Sequence, residues 1–257
     1  MNLNENTILI TGGSSGIGFE MAKKFLASKN KVIITGRKLD KLEKAKQKLG
    51  NVTIIQSDVS NPDSIKELYE QVSKDFPDLN ILINNAGVMF TINLQDHNLS
   101  SSELTSELDI NVKGTVWMND AFLPLLKKNK NAATVTVSSG LAFVPLPISP
   151  VYCATKAALH SYTLSLRAQL KNTDVKVFEL APPATETELL ADFNEEDMKG
   201  ISTMSVQAMV ADFLKGFSKN KYEICPGQSS QMKFMSRYFP GFLLNQMSKT
   251  VDRMHAN

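Results

Sequence analysis

Short apolar runs of strand length alternate with longer segments of helical periodicity along almost the whole chain, and this alternation constrains the fold most. TILIT (7–11), KVIIT (31–35), VTIIQ (52–56), NILIN (80–84), ATVTVS (133–138), VKVFEL (175–180) and YEIC (222–225) read as strands. Between them, 16–28, 39–49, 63–75, 101–128, 151–171 and 204–218 read as helices. The first carries Ile17, Met21, Ala22, Phe25 and Leu26 on one stripe. Asn61 followed by Pro62 marks a helix start, because proline at the first helical position has no N–H to leave unpaired. Strands that are apolar throughout must be covered on both faces. The expectation is an α/β fold: a doubly wound parallel sheet of about seven strands flanked by helices. The catalytic domain is expected over 1–227, with a helical tail over 228–257 packed on the domain or on a partner subunit.

Composition narrows the function classes. With 257 residues, 42% of them hydrophobic, the chain can bury a full core without staples. Twenty-eight Lys and Arg against 26 Asp and Glu leave a net charge of +2 and no long basic run, so nucleic acid is not expected as a partner. Cys153 and Cys225 have no metal-ligand spacing and read as reduced thiols. The three histidines, His97, His160 and His255, carry no motif, and no metal site is expected. No segment is long and apolar enough to span a bilayer, and the N-terminus lacks a signal-peptide pattern. The expected location is cytoplasmic.

In a doubly wound sheet, ligands bind beyond the C-terminal ends of the strands. Three polar clusters fall at that edge: the glycines after the first strand, Asn84–Gly87 after the fourth and Ser138–Ser139 after the fifth. The first is TGGSSGIG (Thr11–Gly18), a glycine turn opening a helix, where backbone N–H groups can approach a pyrophosphate. Its spacing, Gly12, Gly16 and Gly18 with Gly13 extra, is not G-x-G-x-x-G; the strand before it and the amphipathic helix after it strengthen the reading. Ser14, Ser15 and Ile17 complete the loop. The second strand ends at Gly36, Arg37 and Lys38 with no carboxylate. An acidic residue there would hold a ribose hydroxyl, whereas an arginine accepts a 2′-phosphate, so NADP(H) is expected over NAD(H). Asp58 and Val59, after the third strand, are placed beside an adenine; a cap on the next helix is the alternative for Asp58.

Tyr152 and Lys156 lie four apart in an expected helix and share a face. A free tyrosine has a pKa near 10 and needs a neighbouring cation to act at neutral pH. Y-x-x-x-K alone is a chance-level motif. Thirteen residues earlier, just past the fifth strand, stands Ser139, able to hydrogen-bond a substrate oxygen, with Ser138 as its competitor. Asn111 lies inside the long helical segment after the fourth strand, where a buried amide could kink the helix and hold a water near Lys156.

TGGSSGIG, NNAG (Asn84–Gly87), Asn111, SSG (Ser138–Gly140) and YCATK (Tyr152–Lys156) together resemble the compact, NADP-preferring branch of the short-chain dehydrogenase/reductase family, over about residues 5–227. SGLAFVPL, PVYCATKAALHS and LAPPATET resemble its DltE-like subgroup. The resemblance implies a Rossmann-type sheet and hydride transfer between a nicotinamide and a carbonyl or alcohol. It implies Tyr152 as acid–base, Lys156 as its modulator and ribose ligand, Ser139 as the group polarising the substrate oxygen, and Asn111 as support for a water relay. It places Asn85, Ala86 and Gly87 along the cofactor cleft and implies a homodimer or homotetramer. After the sixth strand the family has Pro-Gly and then a Thr contacting the carboxamide. Here Pro182 and Thr187 match, but Pro183 replaces the glycine.

Phe90, Leu141, Ala142, Phe143, Val144, Leu146, Pro147 and Pro183 are expected around the substrate, with 183–203 as a lid, which favours a small apolar substrate. The tail sets Phe234, Tyr238, Phe239, Phe242, Leu243 and Leu244 among Lys233, Arg237, Lys249 and Arg253; besides packing, peripheral membrane contact is open to it. Two rival readings remain: a 3-ketoacyl-carrier-protein reductase, and a non-catalytic NADP-sensing protein.

Overall fold

The computed structural model describes residues 1–190, 193 and 202–254. Seven parallel strands form one sheet: β1 (Thr7–Thr11), β2 (Lys31–Gly36), β3 (Thr53–Gln56), β4 (Leu79–Asn84), β5 (Ala133–Val137), β6 (Lys176–Leu180) and β7 (Glu223–Ile224). Their order is β3-β2-β1-β4-β5-β6-β7, so the winding reverses between β1 and β4. Ile10 of β1 pairs with Ile34 on one side and Ile83 on the other, which fixes the register at the edge where ligands bind.

Alternate residues of each strand feed opposite layers. Ile8, Ile10, Ile81, Ile83 and Phe178 join the core beneath α1 (Gly16–Ala27) and α7 (Val206–Ser218). Leu9, Ile33, Leu82 and Val177 join the core beneath α3 (Pro62–Asp75), α5 (Gly114–Leu126) and α6 (Pro150–Gln169). Phe25 of α1 meets Phe213 of α7 edge-on at 6.4 Å, an aromatic pair contributing about 0.5–1.5 kcal/mol beyond its area. α2 (Leu39–Leu49) buries only Leu42 and Ala45 and leaves its lysines in water. As the sequence indicates, Asn61 caps α3, its side chain accepting from the Asp63 and Ser64 N–H groups.

Two expectations are corrected. The segment 101–128 is not one helix. It breaks into α4 (Ser101–Leu104), a π-helical turn (Leu108–Lys113) and α5. The π turn brings two polar side chains, Glu107 and Asn111, to full burial four residues apart. Such turns are inserted where a helix must re-aim its side chains. The seventh strand is also shorter than expected, ladder-paired only through Glu223 and Ile224.

The tail forms α8 (Gln228–Tyr238) and α9 (Pro240–Met254). α8 lies against the 3₁₀ turn Gly140–Ala142 so closely that a Cβ on Gly140 would stand 2.7 Å from Ser229 Oγ. The tail's contact with the body runs through Ser229, Leu243, Met247 and Thr250, whereas Phe234, Tyr238, Phe239 and Phe242 are exposed.

Candidate active site

The glycine loop is shaped by backbone geometry. Gly12 and Gly16 adopt φ of +64° and +54°, the left-handed region that glycine tolerates best. Gly18 has no room for a side chain: its Cβ would lie 2.5 Å from the Gly12 carbonyl oxygen. The loop is held from the neighbouring strand. The Thr11 hydroxyl accepts from the Asn85 and Ala86 N–H groups, both at 3.0 Å, and Asn85 Nδ2 donates to the carbonyls of Thr11 and Gly12. Ser15, the residue before α1, forms no side-chain cap, and the first turn carries no acid. The N–H groups there are left for an anionic ligand. Ile17 packs its side chain partly on the core and offers the loop its backbone. These features fit the pyrophosphate of a dinucleotide.

At the end of β2, a Cβ on Gly36 would lie 3.7 Å from Ser14 Oγ, so Ser14 and the Gly36–Arg37 turn share one corner. The Arg37 carbonyl accepts from Gln56, and its exposed guanidinium makes no ion pair among the described residues. Asp58 is not the helix cap. Its Oδ1 accepts from the Ser60 N–H and hydroxyl, which shapes the turn after β3. Val59 is buried where a Cβ on Gly114 would reach it at 2.9 Å, tying this turn to the start of α5.

Tyr152 and Lys156 stand on one face of α6 and are both buried. Lys156 Nζ donates to the Val137 carbonyl at 3.0 Å and lies 5.4 Å from the centre of the Tyr152 ring. Asn111 anchors the opposite wall. Its Oδ1 accepts from the Val88 N–H, and its Nδ2 donates to the Val88 carbonyl and to Thr155 Oγ1. A Cβ on Gly87 would meet Asn111 Oδ1 at 3.1 Å and Lys156 Nζ at 3.5 Å, so these groups border one space. Ser139 Oγ accepts from the Leu141 N–H, which leaves its own hydrogen free to donate, and it interacts with Tyr152. Ser138, the competitor, is consumed: its hydroxyl donates to Glu179 Oε1 at 2.6 Å.

Burial pushes the Tyr152 phenol well above its ordinary pKa, and Ser139 draws it partly back. Burial lowers Lys156 to about 8, and the Glu107 carboxyl works against that fall. In the protein alone, Tyr152 is thus a protonated acid rather than a phenolate.

Around Tyr152 the wall is apolar: Met89, Leu146, Ile148, Cys153 and Phe193, with Leu141, Leu189, Leu190 and Met247 against them. Met247 comes from α9, a contribution with no signal in the local sequence pattern. Phe143 stacks edge-on against His160 at 5.1 Å, with Lys233 Nζ 5.4 Å from its ring centre. His160 pairs with Glu179 at 2.8 Å, joining α6 to β6. The base of the segment expected as a lid is clamped by a parallel bridge between Thr185 and Met204. Thr187 sits over the glycine loop, 3.2 Å from where a Gly16 Cβ would stand. Pro182 accepts from the Gly140 N–H at 2.8 Å, so the segment carrying Pro183 is pinned beside Ser139. Residues 191–192 and 194–201 of the lid lie outside the described residues. No cluster of three metal-ligating side chains occurs among the described residues. Glu107, buried beside this site, was missed by sequence reasoning.

Comparison with known proteins agrees with this geometry. Residues 6–198 match the short chain dehydrogenase family. The uncharacterized oxidoreductase DltE of Bacillus subtilis is 42% identical over 253 residues, 96% of this chain and 98% of that protein. An uncharacterized oxidoreductase of Staphylococcus saprophyticus is 35% identical over 77% of this chain and 81% of its own. A short chain dehydrogenase from Burkholderia cenocepacia in complex with NADP superposes with a TM-score of 0.83 at 23% identity, covering 96% and 99% of the two chains. A 3-ketoacyl-(acyl-carrier-protein) reductase from Brucella melitensis complexed with NADH has a TM-score of 0.78 at 26% identity, covering 89% and 100%. With its motifs, sheet order and relatives in agreement, the chain belongs to the short-chain dehydrogenase/reductase family of oxidoreductases.

Proposed function

We propose that the protein is an NADP(H)-dependent oxidoreductase that interconverts a carbonyl and an alcohol on a small apolar substrate, with Tyr152 as acid–base. One observation carries the reading: Tyr152, only 5% exposed, interacts with Ser139, has Lys156 Nζ 5.4 Å from its ring centre and packs among apolar side chains. When bound, the nicotinamide supplies or accepts the hydride and, once oxidised, adds positive charge beside the phenol. Tyr152 holds its proton tightly and can deliver it to an alkoxide forming within reach. Ser139 donates its hydroxyl hydrogen to the same oxygen. Lys156 provides the cation that makes loss of the phenolic proton affordable. Gly12 to Gly18 receive the pyrophosphate, Ser14 and Arg37 a 2′-phosphate, Asp58 and Val59 the adenine side, Asn85 to Gly87 the middle of the cleft, and Pro182 and Thr187 the nicotinamide end.

NADPH oxidation with a panel of aliphatic and aromatic aldehydes and ketones tests this. Activity is expected with apolar carbonyls and lost in Tyr152→Phe. Turnover confined to anionic sugars would exclude the apolar substrate class. The likeness to the Brucella reductase favours a second reading, an acyl-carrier-protein-linked 3-ketone, and the same panel discriminates it by including that substrate.

A further inference from the structure

Glu107 is a carboxylic acid with no exposed surface, on the residue that opens the π turn. One oxygen, Oε1, accepts from the Phe90 N–H at 2.9 Å. The other, Oε2, is buried with no hydrogen-bond partner among the described residues. A buried carboxylate without a paired cation is costly, and a buried acceptor without a donor adds to that cost. A core position that needed only shape would be met by an apolar residue. The groups around Glu107 are those of the active site. Glu107 grips the loop after β4 at Phe90, Asn111 grips the same loop two residues earlier at Val88, and a Cβ on Gly87 of that loop would meet both Asn111 Oδ1 and Lys156 Nζ. On its own turn, Asp109 and Lys113 pair with each other at 2.7 Å on the surface. Four residues on, Asn111 borders the space that holds Lys156 Nζ.

We propose that Glu107 is a positioning residue for the catalytic lysine: its buried carboxyl sets how firmly Lys156 keeps its charge. An anion at Glu107 stabilises the Lys156 ammonium, and the ammonium in turn makes the Tyr152 proton easier to exchange. A neutral Glu107 withdraws that support. Burial holds Glu107 at about 7, so the carboxyl changes charge within the working range of an enzyme at neutral pH. The proposal rests on the oxidoreductase reading for its effect on turnover, but not for the coupling itself.

The test is Glu107→Gln, which keeps the length of the side chain and an acceptor for the Phe90 N–H while removing the charge. The Lys156 titration is followed by NMR of 13Cε-labelled lysine in the cofactor-free protein, its resonance identified by its loss in Lys156→Arg. The midpoint is expected to fall by about one pH unit, as an opposite charge at this range is removed. The alkaline limb of the kcat profile, measured with NADPH and the best carbonyl, is expected to move the same way. An unmoved midpoint, or a lower kcat with the limb in place, overturns the proposal and leaves Glu107 a packing residue. If the Gln variant does not fold, Glu107→Asp withdraws the charge by one methylene and should lower the midpoint less; no change there overturns the proposal equally. A shifted midpoint in a protein that reduces no carbonyl upholds the coupling and refutes the oxidoreductase reading.

Discussion

Lys156 Nζ is tied to the Val137 carbonyl at the end of β5 while it lies 5.4 Å from the centre of the Tyr152 ring. The sheet therefore holds the cation in place relative to the phenol. Lys156→Ala removes the charge and leaves a buried carbonyl unpaired, so both kcat/KM and Tm are expected to fall, the former by about 100-fold or more. Tyr152→Phe deletes one hydroxyl and is expected to lose activity with Tm little changed. Steady-state kinetics and melting curves on both variants check this. A Lys156→Ala enzyme that keeps wild-type kcat/KM would remove the lysine from the mechanism.

Under the proposed reading, cofactor choice rests on the corner formed by Ser14, Gly36 and Arg37. Arg37→Asp replaces a charge-assisted contact to a 2′-phosphate with repulsion, while an acid suits a ribose hydroxyl. The ratio of kcat/KM for NADPH to that for NADH is expected to fall by about 10–100-fold. A wild-type preference for NADH would contradict the assignment before any mutation is made.

The glycine loop leaves no room at Gly18, whose Cβ would meet the Gly12 carbonyl oxygen at 2.5 Å and Asn85 Nδ2 at 2.6 Å. Gly18→Ala must push the loop and β4 apart. NADPH affinity, followed by fluorescence titration, is expected to weaken by about ten-fold or more. Unchanged binding would show that the loop does not hold the dinucleotide.

Met247 reaches the Tyr152 cluster from α9, far in sequence from every motif. Met247→Ala should loosen the apolar packing beside Tyr152 without touching the glycine loop. KM for bulky carbonyls is expected to change several-fold while the Kd for NADPH holds. Equal effects on both would mean that α9 supports the whole fold rather than the substrate end.

Glu107 also predicts a pH dependence of stability. Its folded pKa is raised from 4.5 to about 7 by burial, so folding is favoured while the group is protonated. That contribution is complete below about 4.5 and is lost as pH rises through about 7. Glu107→Gln carries no such dependence. The variant is expected to gain roughly 3 kcal/mol over its own position at acid pH, relative to wild type, once pH passes about 8. Denaturant unfolding across this range measures it; parallel stability curves would show that Glu107 does not titrate there.

Much of this was legible because regular elements translate spacing into direction. Four residues on α6 place Tyr152 and Lys156 together, and the strand–helix alternation places the three polar clusters at one edge. The π turn was not legible. SSELTSELD reads as a polar helix surface, and nothing in that run says that Glu107 is buried while Glu103 is exposed. Only the register change, paired with the inward amide of Asn111, could have signalled it. Met247 was hidden because its contact is made across the fold. The contact of Phe143 with His160 was equally hidden, because spacing from Ser139 does not say which neighbour a side chain after a 3₁₀ turn meets.

The bonds from Thr11 to Asn85 and Ala86 join segments more than 70 residues apart in sequence. The cleft therefore does not exist in the N-terminal βαβ unit by itself. It closes only after β4 has threaded in beside β1, and such distant pairings form slowly because a long loop must first be gathered. During synthesis or refolding, competence to bind a dinucleotide should arrive with the docking of β4, later than the helical signal of α1 and α2.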